Sequence, residues 1–406
     1  MRLLFSLAWR NLWRHRRRSF LNMALLAIAV MIIVFLISIH DGMYERMISN
    51  AVDLSVGDIQ IQEPLFEEDP VIENFIFRTA DDEKILKKEN LIKAYAPRIE
   101  TYGLISGPKT TQGAALVGID PDLEKTVSVL ANKVTTGSFL TTDDLEGVLI
   151  GQTLAENLDL KVGSELVVLT QDYYHQTSAA KYIVRGFLLS GAQEVDGFQV
   201  FFNLKGLQNL LSVEDGVSKF VIRLKSHSQL PKAVVNLNQS MKPLNVLTWK
   251  IKLKSILEMI ELEKSGIRLI TSMFGIVIFF GLLNTSLMNV LERTREIGVL
   301  KAIGTDPQKV AMQYFLETLM LSLTGLAVGM VLGTLLMFYF AAFPITLHGF
   351  EEEFKRYNLE AQMFTVFKFK TLFTAFSSIL MYCLVSSVYP AWRASRISIL
   401  KALQGA

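Results

Sequence analysis

The sequence predicts a membrane protein in which four transmembrane α-helices carry a large mixed α/β extracytoplasmic domain of two subdomains, inserted between the first helix and the second. Three observations lead there. Half of the 406 residues are hydrophobic and the mean hydropathy is +0.34, more than a soluble domain of this size usually shows. Four runs, residues 20–39, 269–291, 310–340 and 371–390, are long and charge-poor enough to cross a hydrocarbon core of roughly 30 Å. The segment 40–268 is instead mixed in charge and broken in its apolar runs, as a domain in water is.

Residues 1–19 read as an amphipathic elbow on the cytoplasmic side. Leu4, Leu7, Ala8 and Leu12 fall near one helical face, with Arg2, Arg10, Arg14 and Arg17 largely away from it. An interfacial helix whose bases meet anionic lipid fits this pattern, and so does a bare topology signal. Orientation follows from the same basic residues. Arg2, Arg10, Arg14, Arg16, Arg17 and Arg18 precede the first span with no acid among them, and Arg393, Arg396 and Lys401 follow the fourth. Positive loops stay inside, so both termini and the loop 292–309 are expected in the cytoplasm and 40–268 outside. A secretory signal peptide also begins basic. Residues 20–39, however, exceed a usual h-region, and His40-Asp41-Gly42-Met43 offers no small-x-small cleavage site, so an uncleaved anchor is expected. The formal net charge of +2 conceals this asymmetry and gives no reason to expect a nucleic-acid partner.

Within 40–268, alternation predicts strands at 56–62, 98–106, 113–118, 165–169 and 182–189. A polar helix is expected over 81–90, a strand at 147–151 followed by a helix over 152–158 and a turn at Gly163, and a second helix over 229–241 between strands at 219–224 and 244–249. At the membrane ends, Met43 to Val52 can extend the first span. Ile251, Leu253, Ile256, Leu257, Ile260 and Leu262 form an apolar stripe running into the second. Stiff stalks and amphipathic linkers lying on the bilayer both fit. The outer loop 341–370 carries Glu351-Glu352-Glu353 beside Lys355-Arg356, a solvated charge run to which no site is attached.

The chemistry-bearing segment lies between the second and third spans, in 292–309. Glu292, Arg293, Arg295, Glu296 and Lys301 cover much of a short helix, while Ile297, Leu300 and Ile303 recur at helical spacing. One side can dock on apolar surface and the rest can pair charges. Gly304 suits a left-handed C-cap, and Asp306-Pro307 supplies an N-cap and first-turn proline for the third span. That span carries Gly325, Gly329 and Gly333 at four-residue spacing, which lets helix backbones approach; contact with a second copy of the chain and packing within the chain fit equally. Glu317, the acid within a span, is expected at the cytoplasmic headgroup level rather than in a proton relay, since such groups are usually paired or near an interface, and Asn284, Thr285, Ser286 and Asn289 as interhelical glue.

Several chemistries find no footing. No G-x-x-x-x-G-K-[ST] loop is present to cradle ATP and no G-x-S-x-G to supply a nucleophile. His15, His40, His175, His227 and His348 are scattered without ligand spacing, and Cys383, the sole cysteine, lies in the fourth span, so neither a metal site nor a disulfide framework is expected. The chain reads as a non-catalytic subunit that binds no cofactor of its own.

The string ERTREIGVLKAIG, with Glu296-Ile297-Gly298 and Lys301-Ala302-Ile303-Gly304 directly after a span, resembles the coupling segment of the ABC-transporter permease family that includes FtsX, MacB and LolC/LolE. Arg10-Asn11-Leu12 before a basic cluster is similar to that family's N-terminal elbow. Tyr389-Pro390-Ala391-Trp392-Arg393-Ala394-Ser395-Arg396 and Lys401-Ala402-Leu403 are similar to its closing motif, apart from Ser398-Ile399 where a proline commonly begins the last turn. The resemblance implies a two-part external domain, its inner part at about 107–212. It also implies mechanotransmission, in which a cytoplasmic ATPase dimer holding ATP and Mg moves the coupling helix of this chain and of a second permease copy or paralogue. Asp41-Gly42-Met43-Tyr44-Glu45-Arg46 looks similar to the stalk of the lipoprotein-releasing LolC/LolE proteins, which would add lipoproteins and a periplasmic carrier as partners. The candidate loop for a carrier hook, Asp172 to Ala179, is short. MacB-like efflux of a small molecule or peptide and FtsX-like regulation of a cell-wall hydrolase are the alternatives.

Overall fold

The structure is a computed structural model that describes residues 6, 8, 10, 14, 16–77, 80–346 and 362–404. Asn11 of the elbow, Leu4, Leu7 and Leu12 of its apolar face, and the acidic run 351–353 lie outside the described residues. The described parts fall into two compact units, a helical one of Met1–Tyr44, Met259–Thr346 and Gln362–Ala406, and an α/β one centred on Glu45–Glu258.

Four helices are long and apolar enough to cross a membrane among the described residues. Arg16–Ala51, Lys254–Glu292, Pro307–Ala342 and Phe369–Arg396 contain the four runs read from the sequence and extend beyond them. Apolar neighbours in lipid gain nothing by leaving water, so such helices associate through close packing and small residues. The glycine row of the third span shows how. A Cβ at Gly325 would meet Leu26, one at Gly329 would lie 2.7 Å from the Ala27 carbonyl oxygen, and one at Gly333 would press on Val34. The row therefore receives the first span of the same chain. Ser386, Ser387 and Thr324 each return their hydroxyl to a carbonyl of the preceding turn, which satisfies these three donors inside the bundle.

The α/β unit is built on a ten-stranded sheet. Its strands are β1 (Ile59–Gln62), β3 (Ile92–Ser106), β4 (Thr111–Ile119), β5 (Val134–Gly137), β6 (Gly147–Gly151), β7 (Glu165–Gln171), β8 (Thr177–Leu188), β9 (Gln199–Asn203), β11 (Lys219–Leu224) and β12 (Asn245–Thr248), with β2 (Ile76–Phe77) and β10 (Gly216–Val217) forming a separate pair. The order is β12-β1-β11-β3-β4-β9-β6-β8-β5, and β7 bridges β3 and β8. The long strand β3 serves both halves: Ile92 to Arg98 pair with β11, and Arg98 to Ser106 pair with β4. The larger apolar cores of the unit lie around Ile99, Ile150, Phe202 and Leu207, around Ile61, Phe220 and Leu237, and around Ile119, Leu149 and Phe201. The residues expected as the inner part, 107–212, share the sheet with the rest, and the core around Ile150 and Phe202 also takes in Phe66, Ile72, Phe75, Ile99 and Ile105 from outside those bounds.

Three sequence expectations change. Only Ile59–Gln62 of the strand expected from Val56 is extended, because Val52–Val56 forms a turn of π-helix that Gly57 ends at φ +68°. The stripe before the second span narrows: Leu253 is buried against Ala51, Val52 and Val56, whereas Ile251 and Leu262 are exposed. Strand β9 and the helix Leu204–Leu211 join the inner core without having been foreseen.

Candidate functional site

The helix ending at Glu292 breaks at Arg293, and Thr294–Ala302 starts a new, short helix in the same polypeptide. Its far end is closed by a Schellman arrangement, in which Thr305 N–H donates to Leu300 O at 3.0 Å and Gly304 N–H to Lys301 O at 3.1 Å. Gly304 sits at φ +92° with open space around it, so glycine is required by backbone geometry and not by crowding. Asp306 then accepts from Gln308 N–H at 2.9 Å and Pro307 opens the third span. The C-terminal end of the short helix is therefore fixed by hydrogen bonds rather than left to fray, and the third span starts on its own cap.

The predicted site residues divide between two faces. Turned inward are Arg293, Ile297, Gly298 and Lys301. The Arg293 guanidinium is buried, its Nη1 3.3 Å and 3.4 Å from the two Glu317 oxygens and its Nε 3.2 Å from Glu296. Glu317 also accepts from Asn289 Nδ2 at 3.0 Å, and Ser286 and Thr318 hydroxyls meet at 3.1 Å. An ionised group is costly in a span unless it is paired, and Glu317 has two partners from the neighbouring segment. Ile297 is enclosed by Val290, Val310, Tyr314 and Ala394. Gly298 faces the terminal helix Ile399–Gln404 so closely that a Cβ would come within 2.5 Å of Ala402 Cβ. Lys301 Nζ donates to Ser395 O at 2.6 Å and Ile397 O at 2.8 Å, satisfying carbonyls that the last span leaves open at its C-terminus. Burial of its ammonium lowers the Lys301 pKa.

Turned outward are Glu292, Arg295, Glu296 and Gly304. Val299 is 47% and Ile303 74% exposed. The apolar spacing of Ile297, Leu300 and Ile303 hence does not form one buried stripe: Ile297 is internal, Leu300 intermediate and Ile303 external. Arg14 reaches Glu296 at 3.4 Å, with both side chains at least half exposed. Arg10, Arg16 and Arg17 are exposed as well, and Ala8 is buried with Met320. The terminal turn, where Ser398-Ile399 departs from the expected proline, is helical, with Ala402 N–H bonded to Ser398 O at 3.1 Å. Trp392 stacks on Tyr389 and lies 5.3 Å beneath the Arg396 guanidinium.

A second buried centre, in the α/β unit, was not read from the sequence. Arg98 is buried and grips Glu124 through two bonds, Nε to Oε2 at 3.0 Å and Nη2 to Oε1 at 2.6 Å. Its remaining donors reach the Ser55 and Leu54 carbonyls of the π-turn. Burial alone works against the guanidinium charge, yet the Glu124 carboxylate holds the Arg98 pKa above its ordinary value. Beside it, Arg223 pairs with Asp53 of the same turn and donates to Val127 O at 2.9 Å. Among the described residues, no group of His, Cys, Asp and Glu is arranged to hold a metal.

Residues 19–240 match the family model of the MacB-like periplasmic core domain, and 268–399 that of the FtsX-like permease C-terminal region. The sequence is 26% identical over 332 residues to the lipoprotein-releasing system transmembrane protein LolC of Xylella fastidiosa, a match covering 76% of this chain and 77% of that protein. It is 22% identical over 367 residues to the macrolide export ATP-binding/permease protein MacB of Hahella chejuensis, covering 81% of this chain and 51% of that protein. A solved structure, the periplasmic region of MacB from Actinobacillus actinomycetemcomitans, aligns with 52% of this chain and 97% of its own at 14% identity and a TM-score of 0.37.

Proposed function

Because this chain belongs to the ABC-transporter permeases that join a MacB-like periplasmic core domain to an FtsX-like C-terminal half, we propose that its short helix Thr294–Ala302 is the handle by which a separate ATPase moves it. The chain is a multi-pass inner-membrane permease. Its basic N-terminal segment and basic tail support a topology with both termini and the handle in the cytoplasm and the α/β unit outside. The observation that carries the proposal is the division of the short helix into two faces. Ile297, Gly298, Arg293 and Lys301 fasten it to the second, third and last spans, while Arg295, Val299 and Ile303 face outward. An exposed apolar pair rimmed by charge is what a partner cleft takes up. A push there travels into three spans through contacts that do not yield singly.

ATP and Mg then belong to the partner ATPase, which acts on two permease copies or on this chain and a paralogue. The cargo we assign is lipoprotein released from the membrane surface; the relative named as a lipoprotein-releasing system protein, matched over most of both chains, supports it. Relatives named for macrolide export keep efflux as the competing assignment. Mass spectrometry of what stays bound after gentle detergent extraction tests both levels. An ATPase with triacylated lipoproteins is the expected result. An ATPase with an adaptor or with a hydrolase activator transfers the assignment to efflux or to signalling, and reproducible absence of an ATPase overturns the handle. Ile303→Asp, which touches nothing internal, should reduce ATPase recovery about tenfold while leaving insertion intact.

A further inference from the structure

Within the helical unit, the first, second and last spans line a half-open cavity of about 590 Å³, within the roughly 300–1,000 Å³ typical of ligand sites. Its wall changes character along the helices in one sense. On the first span, Ile33 and Ile37 give way to His40, Asp41 and Tyr44; on the last, Ile379 and Ala375 give way to Thr371, Lys370 and Lys368. The second span adds Lys264 and Arg268 at the same polar end, where Lys264 Nζ stands 5.6 Å over the Tyr44 ring. Four basic side chains therefore surround a space lined by a single carboxylate, Asp41, which already accepts from the Thr371 hydroxyl. Arg268 is shared with Glu261 at 3.3 Å, and Glu263 lies near Tyr44, so the excess of positive charge is partial.

Two buried polar atoms on this wall make no hydrogen bond of ordinary geometry among the described residues: the Tyr44 hydroxyl, on a side chain 5% exposed and facing the Glu263 carboxylate at longer range, and His40 Nδ1. A buried donor without a partner costs about 1–3 kcal/mol, so such atoms mark a place where a ligand completes the set. The ligand must be amphiphilic, with an anionic, oxygen-rich end for the lysines and the tyrosine and an aliphatic end for the isoleucines.

We propose that this cavity holds the headgroup and glycerol end of one anionic phospholipid. The phosphate sits among Lys264, Lys368 and Lys370, Tyr44 donates to a phosphate or ester oxygen, and an acyl chain runs along Ile33, Ile37 and Ile379. This goes beyond the coupling reading and is independent of the cargo, because the acylated end of a lipoprotein carries no phosphate.

The test uses the full chain reconstituted in nanodiscs of equal phosphatidylglycerol and phosphatidylcholine, then released into mild detergent, with retained lipid counted by native mass spectrometry. Retention of phosphatidylglycerol should exceed that of phosphatidylcholine by about fivefold or more. Lys264→Gln with Lys370→Gln should bring the ratio near parity, whereas Lys93→Gln, on the α/β unit, should leave it unchanged. Equal retention of the two lipids by the unaltered chain overturns the proposal without reliance on any variant, as does a preference that survives the double substitution. Release of the retained lipid by excess inorganic phosphate makes the site one for free anions and overturns the lipid assignment.

Discussion

Two buried arginines, Arg98 in the α/β unit and Arg293 in the helical unit, each secure a place where a long helix gives way, and they do it differently. Arg98 meets Glu124 in the two-pronged geometry that guanidinium and carboxylate share, and spends its other donors on carbonyls of the π-turn Val52–Val56. Both side chains are almost wholly enclosed. Arg293 is buried somewhat less deeply, and it holds Glu317 at longer range through one nitrogen and extends its Nε toward Glu296, which is half exposed. The first arrangement is closed, since the two charged side chains are committed to each other and lie almost out of solvent's reach. The second is open on one side, and its outer member stands on the proposed handle. A junction that must stay one shape wants the former; a junction that answers a partner at its surface wants the latter.

The largest effect should come from breaking the closed pair. Arg98→Met leaves Glu124 charged and enclosed, at an expected cost of roughly 3–5 kcal/mol, read as urea sensitivity of the α/β unit to protease in the detergent-solubilised full chain. Arg98→Met with Glu124→Leu should recover most of that loss, because no lone buried charge then remains. If the single substitution costs less than about 1 kcal/mol, the pair is not the clamp it is taken to be.

Arg293→Met should cost less, about 1–3 kcal/mol, since Asn289 still donates to Glu317. Its mark should be functional: ATPase that binds yet hydrolyses without moving cargo. Equal destabilisation by the two arginine substitutions would erase the distinction between closed and open junctions.

Much of this was legible in the sequence, and what was not has physical causes. The four spans and most strands follow from apolar length and alternation, which are local. Strand β9 escaped because Val200, Phe201 and Phe202 are buried on both faces and so do not alternate. The role of Arg98 escaped because its partners are 26, 43 and 44 residues away, and nothing in an arginine within a strand announces them. On the handle, charge was read as surface, yet Arg293 and Lys301 turn inward to groups on other helices. The signal was present in Glu317, an acid inside a span, which demands a cation nearby. Lys301 had no such herald, because its partners are backbone carbonyls.

A pH series separates arginine from lysine pairing in the α/β unit. Burial works to raise the carboxyls of Glu100 and Glu67, yet Lys219 and Lys252, each 2.6 Å from its partner, hold them below the ordinary value of 4.5. A carboxyl whose folded pKa is depressed contributes stability above its unfolded value and loses it as pH falls through the folded one. Stability should therefore be level from neutrality to about 4.5 and decline below it. Burial meanwhile lowers the Lys219 pKa, so that ammonium depends on an ionised Glu100. Glu100→Leu with Lys219→Met should flatten part of the acid decline, and a decline beginning well above the ordinary carboxyl range would point to histidine instead.

The smallest effect on stability should belong to Glu296→Lys, and for that reason it is the sharpest test of the open junction. Glu296 is half exposed, and its contact with Arg14 joins two solvated side chains, an arrangement worth about 0–1 kcal/mol. The substitution nevertheless places a third positive charge beside Arg293 and Arg295, next to the face proposed for the ATPase. Insertion and protease resistance should be unchanged while hydrolysis no longer drives cargo movement. A variant that inserts and also transports normally would mean that Arg293 is a structural clamp like Arg98, and that the outer face of Thr294–Ala302 acts through Val299 and Ile303 alone.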